Sequence, residues 1–357
     1  MNARTITSRF ALTSGLLLGM LTQLPTTAQE TDHWTPDRTA WGDPNLQGVY
    51  TFSTLTPLER PEALGDKATY TAEELAEAEL QNIVQPTSAE TPIGDGTNDE
   101  NLRGNEYNAF WASNEKGRLV ARTSLIVDPP NGRLPPLTER GQQIYDERVA
   151  ELATRQVGEE PNIYTLYDTW EDHPVYTRCV ARSMPRVQQG YNHGLQVLQT
   201  PGYVVIYYES QHDTRVIPLD GRPHIDSSIR QWNGDARGHW EGDTLVVDWQ
   251  NFTDKQFFMS IPPAIGLRNI SLPQGNIRLV ERLRKVDENT IDYEVTVHDP
   301  TTWTQPWTLI VPWRADDPSY QSPVDLYEFG CHEGNYRMME NSLRGSRVLR
   351  ETHTEAE

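Results

Sequence analysis

The sequence predicts an all-β fold, an antiparallel meander closing into a lipocalin-like barrel or a two-sheet sandwich, with N-terminal helices and a short C-terminal helix. Two observations lead to this prediction. Short β-rich runs follow one another from about residue 177, and several of them alternate polar and apolar residues. Only brief turns separate most of these runs, and that spacing is typical of antiparallel barrels and sandwiches. The predicted strands are Leu195–Thr200, Tyr203–Tyr208, Thr214–Leu219, Thr244–Trp249, Ile277–Arg284, Thr290–Val297, Trp303–Trp313 and Leu326–Cys331.

The part before these strands predicts helices and extended chain. Thr71 is a typical N-cap for a helix that runs to about Val84, and a second helix is expected from Thr138 to about Arg155. We therefore divide the chain into a signal peptide at 1–28, an extended and helical N-terminal cover at 29–160, and an antiparallel β domain at 161–357. A helix over about 335–350 ends the β domain.

The N-terminus has the pattern of a secretory signal peptide. Arg4 and Arg9 give a positive start, an apolar stretch covers Ala11–Leu24, and small residues end at Ala28. An uncleaved anchor is the alternative, although the apolar stretch is short for a spanning helix. No later segment is apolar over the length that a bilayer requires, so we expect a periplasmic or secreted protein with no membrane insertion after cleavage.

The charge excludes some partners. The 31 basic and 51 acidic residues give a net charge of −20, and loss of residues 1–28 would make it −22 because only two arginines are removed. A chain this acidic repels nucleic acids and anionic membrane surfaces. The expected partner is a small-molecule or glycan-derived ligand.

The two cysteines are Cys179 and Cys331. Oxidising compartments favour their pairing, so we predict a disulfide between them, with two buried thiols as the alternative. Such a bridge contributes at most about 4–5 kcal/mol in the chain-entropy model.

The first candidate cluster is Glu209–Arg215. It contains an imidazole, carboxylates and a guanidinium, which are the groups that proton transfer requires. His212, Asp213 and Arg215 are its candidate catalytic residues, and Tyr207 precedes them as a candidate substrate contact. Neighbouring strand residues point to opposite faces, so an ordinary polar hairpin with a surface ion pair is the alternative.

The second cluster is Trp232–Asp243, in which Asp235 and Arg237 are candidate catalytic residues and Trp232 a candidate substrate contact. Glycines, aromatic rings and charges in this mixture are typical of polar pockets, and equally of a hairpin with Trp anchors. We assign Trp240 and the turn after it to structure.

The third cluster follows Cys331. His332 and Glu333 are candidate catalytic residues, and Tyr336 is a candidate substrate contact. A disulfide at Cys331 would hold them rigidly, as a catalytic pair needs. A disulfide corner with capping side chains is the alternative.

Several established site patterns are missing from the sequence. It contains no GxSxG, P-loop, GxGxxG, HExxH or CxxC motif. The spacings of His193, His212, His224 and His332 match no standard zinc signature. We therefore predict no metal and no cofactor.

Three segments, Thr54–Pro61, Gln231–Val247 and Cys331–Tyr336, resemble a family of secreted hypothetical proteins of acidobacteria and proteobacteria. The similarity runs through most of the mature chain. It implies export and a shared fold, and it transfers no catalytic residue because no activity is established for the family. His193 stands where the family pattern has Asn.

These observations lead to two hypotheses about function. The first is an exported, cofactor-independent acid–base enzyme, a lyase, isomerase or hydrolase. His212 or His332 would be its base, Arg215 or Arg237 would stabilise an oxyanion, and Asp213, Asp235 or Glu333 would orient the imidazole. The second is a lipocalin-like periplasmic protein that binds an apolar ligand without catalysis, with Trp and Tyr as walls.

Overall fold

Alternating burial along the strands explains why this sequence forms a sheet. In the strand Thr290–His298, Ile291, Tyr293, Val295 and Val297 are fully buried, while the residues between them are partly exposed. Successive side chains of a strand point to opposite faces, so one face of this strand packs into the core and the other faces outward.

The protein is known from a computed structural model. It describes residues 34–84, 118–157, 164–182, 184–187, 192–255, 275–315 and 326–354. The expected signal peptide lies outside these residues. The strands are β1 Gly48–Thr51, β2 Ile126–Asp128, β3 Gln156–Val157, β4 Tyr164–Thr165, β5 Gly194–Thr200, β6 Tyr203–Tyr208, β7 Thr214–Pro218, β8 Asp235–Glu241, β9 Thr244–Gln250, β10 Arg278–Lys285, β11 Thr290–His298 and β12 Trp307–Arg314.

Ten of these strands form one antiparallel sheet in the order β7-β6-β5-β1-β12-β11-β10-β9-β8, with β2 beside β12, and β3 pairs with β4 separately. The predicted antiparallel meander is therefore confirmed: β5 to β7 form one meander and β8 to β12 another. β1 joins them by pairing with β5 and, at Thr51, with β12. We predicted no strand there, because four residues in a Pro- and Thr-rich segment are too few to alternate visibly.

The sheet is strongly curved and does not close into a barrel through hydrogen bonds of the described residues. Its end strands β7 and β8 meet through side chains instead. A Cβ at Gly238 of β8 would lie 2.7 Å from the side chains of Ile217 and Leu219, so only glycine fits under them. The side chains of β7 thus cover the backbone of β8, and no ladder joins the two strands.

The two predicted N-terminal helices are confirmed. They are α1, Ala72–Val84, and α2, Glu139–Thr154. The hydroxyl of Thr138 accepts a hydrogen bond from the N–H of Gly141 at 2.9 Å, which satisfies one of the free N–H groups at the start of α2.

The C-terminal prediction is partly wrong. Residues 326–330 form no strand, and the helix α3, Cys331–Thr354, is long and begins at the cysteine. The apolar residues before Cys331 resembled a strand, but they pack as an irregular segment. No helix among the described residues is both long and apolar enough to cross a membrane.

The disulfide between Cys179 and Cys331 is confirmed and holds the start of α3. Farther along the helix, Ser346 Oγ accepts from the N–H of Tyr167 at 2.8 Å, and Ser342 Oγ lies 3.4 Å from His173 Nε2. Small buried residues on this face of α3 let it lie close to the segment 166–182.

Large aromatic side chains fill the interior of the curved sheet. They are fully buried and come from both meanders and from β1: Trp307, Trp313, Tyr50, Tyr208, Tyr293, Phe52 and Phe252. These rings make up much of the buried core of the described residues.

Reduction of the disulfide should destabilise the protein. The bond closes a loop across a sequence separation of 152 residues. The chain-entropy model then gives a loss of at most about 5 kcal/mol of unfolding free energy. Chemical denaturation of oxidised and reduced protein measures the loss, and mass spectrometry after alkylation verifies each state. Two alkylated thiols in the unreduced protein would contradict the bond.

The packing of α3 should depend on pH through His173, whose ring stacks on Tyr167 with 4.1 Å between the centroids. Burial, helped by Arg155 and Arg178 and opposed by Asp172, lowers the pKa of His173 to about 4. An unfolded histidine has a pKa of about 6.5, so below that pH the unfolded chain binds the proton more tightly.

The stability that depends on a neutral His173 is present above about pH 6.5 and falls as the pH falls towards 4. We expect wild type to lose about 2 kcal/mol of unfolding free energy between pH 7 and 5 through this group. His173→Gln should remove that part of the slope. Equal slopes in the two proteins, measured by urea denaturation at each pH, would contradict the assignment.

Candidate functional site

A buried ion pair lies inside the curved sheet. Arg215 of β7 and Glu281 of β10 point inward from opposite meanders, and both are shielded from solvent. Glu281 occupies an inward position of β10 between two core leucines. It accepts hydrogen bonds from Arg215, from the indole N–H of Trp249 at 2.8 Å and from the hydroxyl of Tyr293 at 2.5 Å.

Aromatic rings surround the guanidinium of Arg215. It lies 3.9 Å from the ring centroid of Trp249 and donates to the hydroxyl of Tyr208 at 2.9 Å. Burial raises the pKa of Tyr208 and holds that of Tyr293 well above its ordinary value, so both phenols stay protonated. Arg215 is therefore part of an interior network, in which its Nε has no hydrogen-bond partner among the described residues.

A second polar group forms where β6 ends and β7 begins, and we call it the Asp213 corner: Arg186, Glu209, Ser210, Gln211, His212, Asp213 and Asn233. The carboxylate of Asp213 is at its centre. It forms an ion pair with Arg186 and accepts from Asn233 Nδ2 at 3.1 Å and from the backbone N–H of Arg182 at 3.3 Å. Asp213 and Arg186 are both buried.

The backbone of this corner is strained. Gln211 and His212 both have left-handed φ angles, 68° and 51°. Cys179 and Asn192 are left-handed too, with φ of 58° and 56°. Asn192 donates to the carboxylate of Glu209 at 2.6 Å. Side-chain-bearing residues adopt this conformation only where the surroundings impose it, and such residues concentrate at functional sites.

The first two sequence clusters meet at this corner, and the segment just before the third lies against it. Asn233, from the second cluster, binds Asp213 of the first. The ring of His212 packs edge-on against Phe329, which lies two residues before Cys331 of the third cluster. Gln211 donates to the carbonyl of Tyr176 at 3.0 Å, on the segment that the disulfide ties to α3.

Several polar atoms of the corner are buried without a hydrogen-bond partner in the part of the chain that the structure describes. They are Nε and Nη1 of Arg186, Oγ of Ser210, Oε1 of Gln211 and Oδ1 of Asn233. Buried polar atoms nearly always have a partner, so this concentration makes the corner a candidate ligand-binding site.

Asp235 and Arg237 lie elsewhere, at the start of β8. Asp235 accepts from His224 Nδ1 at 2.8 Å, from Ile225 N–H at 3.0 Å and from Arg237 at 2.6 Å. Burial tends to raise the pKa of Asp235, but these hydrogen bonds outweigh it and lower that pKa. Asp235 thus orients an imidazole, as predicted, but it is that of His224 and not that of His212 or His332.

The remaining candidates are nearer to solvent. His332 and Glu333 are exposed in the first turn of α3, and Tyr336 is 73% exposed. Tyr207 and Trp232 are half-buried. The described residues contain no group of three His, Cys, Asp or Glu side chains that could hold a metal.

Sequence reasoning missed Arg186 and Glu281. The sequence did contain a signal for Glu281. It occupies one of the alternate, inward-facing positions of β10, between Leu279 and Leu283, where an apolar residue is expected. Arg186 lies in an irregular segment with no period, so no local pattern distinguishes it. The residues Glu209 and Asn233 fell inside the selected clusters without an assigned role.

Loss of the interior ion pair should be costly. Glu281→Ala leaves Arg215 charged and buried without its partner, and we expect a loss of about 3–5 kcal/mol of unfolding free energy. The control is Glu241→Ala, which removes an exposed pair with Arg282 at 2.9 Å and should cost less than about 1 kcal/mol. Replacing both interior charges by Arg215→Met with Glu281→Leu should cost less than Glu281→Ala alone. Similar denaturation midpoints for Glu281→Ala and Glu241→Ala would contradict this role.

In comparisons with known proteins, no family model matches this chain, and neither a curated protein nor a solved structure is detectably similar to it.

Proposed function

We propose that this protein is an exported, cofactor-independent acid–base enzyme, a lyase, isomerase or hydrolase, with the Asp213 corner as its active site. Its substrate is a small organic or glycan-derived molecule, and His212 transfers the proton. The observation that carries the proposal is the left-handed backbone at Gln211 and His212, where the exposed His212 directly precedes Asp213 of the buried Asp213–Arg186 pair.

The strain argues for a role beyond folding. Two consecutive side-chain-bearing residues in the left-handed region cost free energy, and a turn with glycine would avoid this cost. The imidazole of His212 is exposed, so it contributes little to the core. A strained backbone that presents a solvent-accessible base is the arrangement expected of a catalytic group.

The neighbours of His212 have separate tasks. Asp213 is committed to Arg186, to Asn233 and to the N–H of Arg182, so it holds the corner together. His212 can then take a proton from the substrate or from an attacking water and return it to another atom, which is the step that lyases, isomerases and hydrolases share. His332, exposed at the start of α3 next to the disulfide, is the alternative base.

The alternative function, an apolar ligand inside a lipocalin-like barrel, has less support. Such a ligand needs an internal cavity, and the interior of the described sheet is filled by buried aromatic side chains and the Arg215–Glu281 pair.

Export to the periplasm or the exterior is part of the proposal. The signal-peptide pattern of residues 1–28 supports it, and so does the disulfide, because disulfides persist in oxidising compartments. The three motifs shared with a secreted family agree with the same compartment.

The test first requires a substrate. Purified mature protein is incubated with a periplasmic metabolite extract, and the compounds that disappear and appear are identified by mass spectrometry. We then expect His212→Asn to lower the rate on that substrate about 10²-fold or more, the usual scale for a general acid–base group. Asparagine is chosen because it tolerates the left-handed backbone.

The matched control is His239→Asn, which removes another exposed imidazole, paired with Glu241 at 3.2 Å on β8. It should leave the rate unchanged, and His332→Asn tests the alternative base. Melting temperatures of all variants separate loss of activity from loss of structure. Full turnover by the folded His212→Asn protein would exclude His212 as the proton-transfer group.

A further inference from the structure

Arg186 is a buried cation with spare donors. Its side chain is 2% exposed and packs over the ring of Tyr208, with 4.8 Å from the guanidinium carbon to the ring centroid. One nitrogen, Nη2, forms the ion pair with Asp213. Nε and Nη1 have no hydrogen-bond partner among the residues that the structure describes, although burial removes them from water. Unpartnered N–H groups on a buried charge are costly, so an acceptor supplied from outside the chain would be held strongly.

Spare acceptors belong to the same corner. Ser210 is 1% exposed, and its Oγ has no hydrogen-bond partner among the described residues. Asn233 donates to Asp213 through Nδ2, while its Oδ1 has no partner in the described chain. Two nitrogens of Arg186 therefore lack an acceptor, and Asn233 Oδ1 lacks a donor, among the described residues.

These groups without hydrogen-bond partners indicate the chemical class of the ligand. A carboxylate is the anion that best matches guanidinium N–H donors, and hydroxyl groups can donate to an amide oxygen and a serine hydroxyl. A neutral sugar would offer Nε and Nη1 only uncharged acceptors, which bind a guanidinium more weakly than a carboxylate does. A simple carboxylate such as acetate has no hydroxyl group, so it would leave Ser210 and Asn233 without a hydrogen-bond donor.

We infer that the Asp213 corner binds a small hydroxylated carboxylic acid, with its carboxylate on Arg186 and its hydroxyl groups on Ser210 and Asn233. This inference rests on the proposed function, because it names the substrate class of the same site. The chain as a whole is acidic, with a net charge of −20, so an anion binds only where a cation is built in locally.

The binding test uses calorimetry on the full mature protein with five probes. D-Galacturonate and D-gluconate are hydroxylated acids, one with a sugar ring and one open. D-Galactose lacks the carboxylate, acetate lacks the hydroxyls, and inorganic phosphate tests for a general anion site. We expect at least one hydroxylated acid to bind 10-fold or more tightly than galactose, acetate or phosphate. Equal affinities across these probes, or no binding of either acid, would overturn the inference.

Arg186→Lys tests the carboxylate contact. Lysine keeps the charge opposite Asp213 and removes the guanidinium N–H groups, so the affinity for the acid should fall 10-fold or more. The control is Arg178→Lys, on the same segment, where the arginine stacks over Trp170 instead. Arg178→Lys should bind as wild type does. Equal affinity of wild type and Arg186→Lys would overturn the assignment of the carboxylate.

If Arg186→Lys does not fold, Ser210→Ala provides a second test of the inference. Because Ser210 Oγ has no partner in the described structure, its removal should leave the melting temperature unchanged or higher. The affinity for the hydroxylated acid should still fall several-fold. A lower melting temperature with unchanged affinity would overturn the hydroxyl contact.

The two proposals can be contradicted independently of each other. If the acids bind and His212→Asn keeps full turnover, the proposed base is wrong and the substrate class stands. If neither acid binds and turnover of a neutral substrate depends on His212, the substrate class is wrong and the base stands.

Discussion

The ion pair between Arg215 and Glu281 connects the two meanders from inside the sheet, across a sequence separation of 66 residues. A buried pair is tolerated only when hydrogen bonds satisfy its charges, and Trp249, Tyr293 and Tyr208 supply these bonds. The geometry that satisfies all of these contacts at once requires a strongly curved sheet. The curvature in turn brings the end strands together.

The Asp213 corner depends on this core. β7 begins directly after Asp213, so the inward anchoring of Arg215 also sets the position of the chain two residues earlier. Asp213 can then receive Arg186 from one loop and Asn233 from another. The disulfide holds the neighbouring segment on the other side. The regular sheet thus supplies a rigid frame, and the groups of the proposed site lie on the irregular chain at its edge.

Local patterns identified the right segments but not the right partners. Alternation predicted that His212 and Asp213 point to opposite faces, and in the structure Asp213 is buried while His212 is exposed. Asp235 was expected to orient His212 or His332, yet it binds His224. Which carboxylate meets which imidazole depends on the path of the loop between β7 and β8, and a loop has no period from which its path could be read.

By itself the sequence determined the local structure. β-rich composition predicted β6 and β9, alternation of polar and apolar residues predicted β10 and β11, the N-cap Thr71 predicted the start of α1, and the two cysteines predicted their own disulfide. The tertiary structure alone decided that β1 joins the two meanders, that the end strands meet without a ladder, and that two nitrogens of Arg186 have no hydrogen-bond partner in the described part of the chain. The physical reason is that period and capping are set by residues a few positions apart, whereas the partner of a buried charge is set by packing between distant segments.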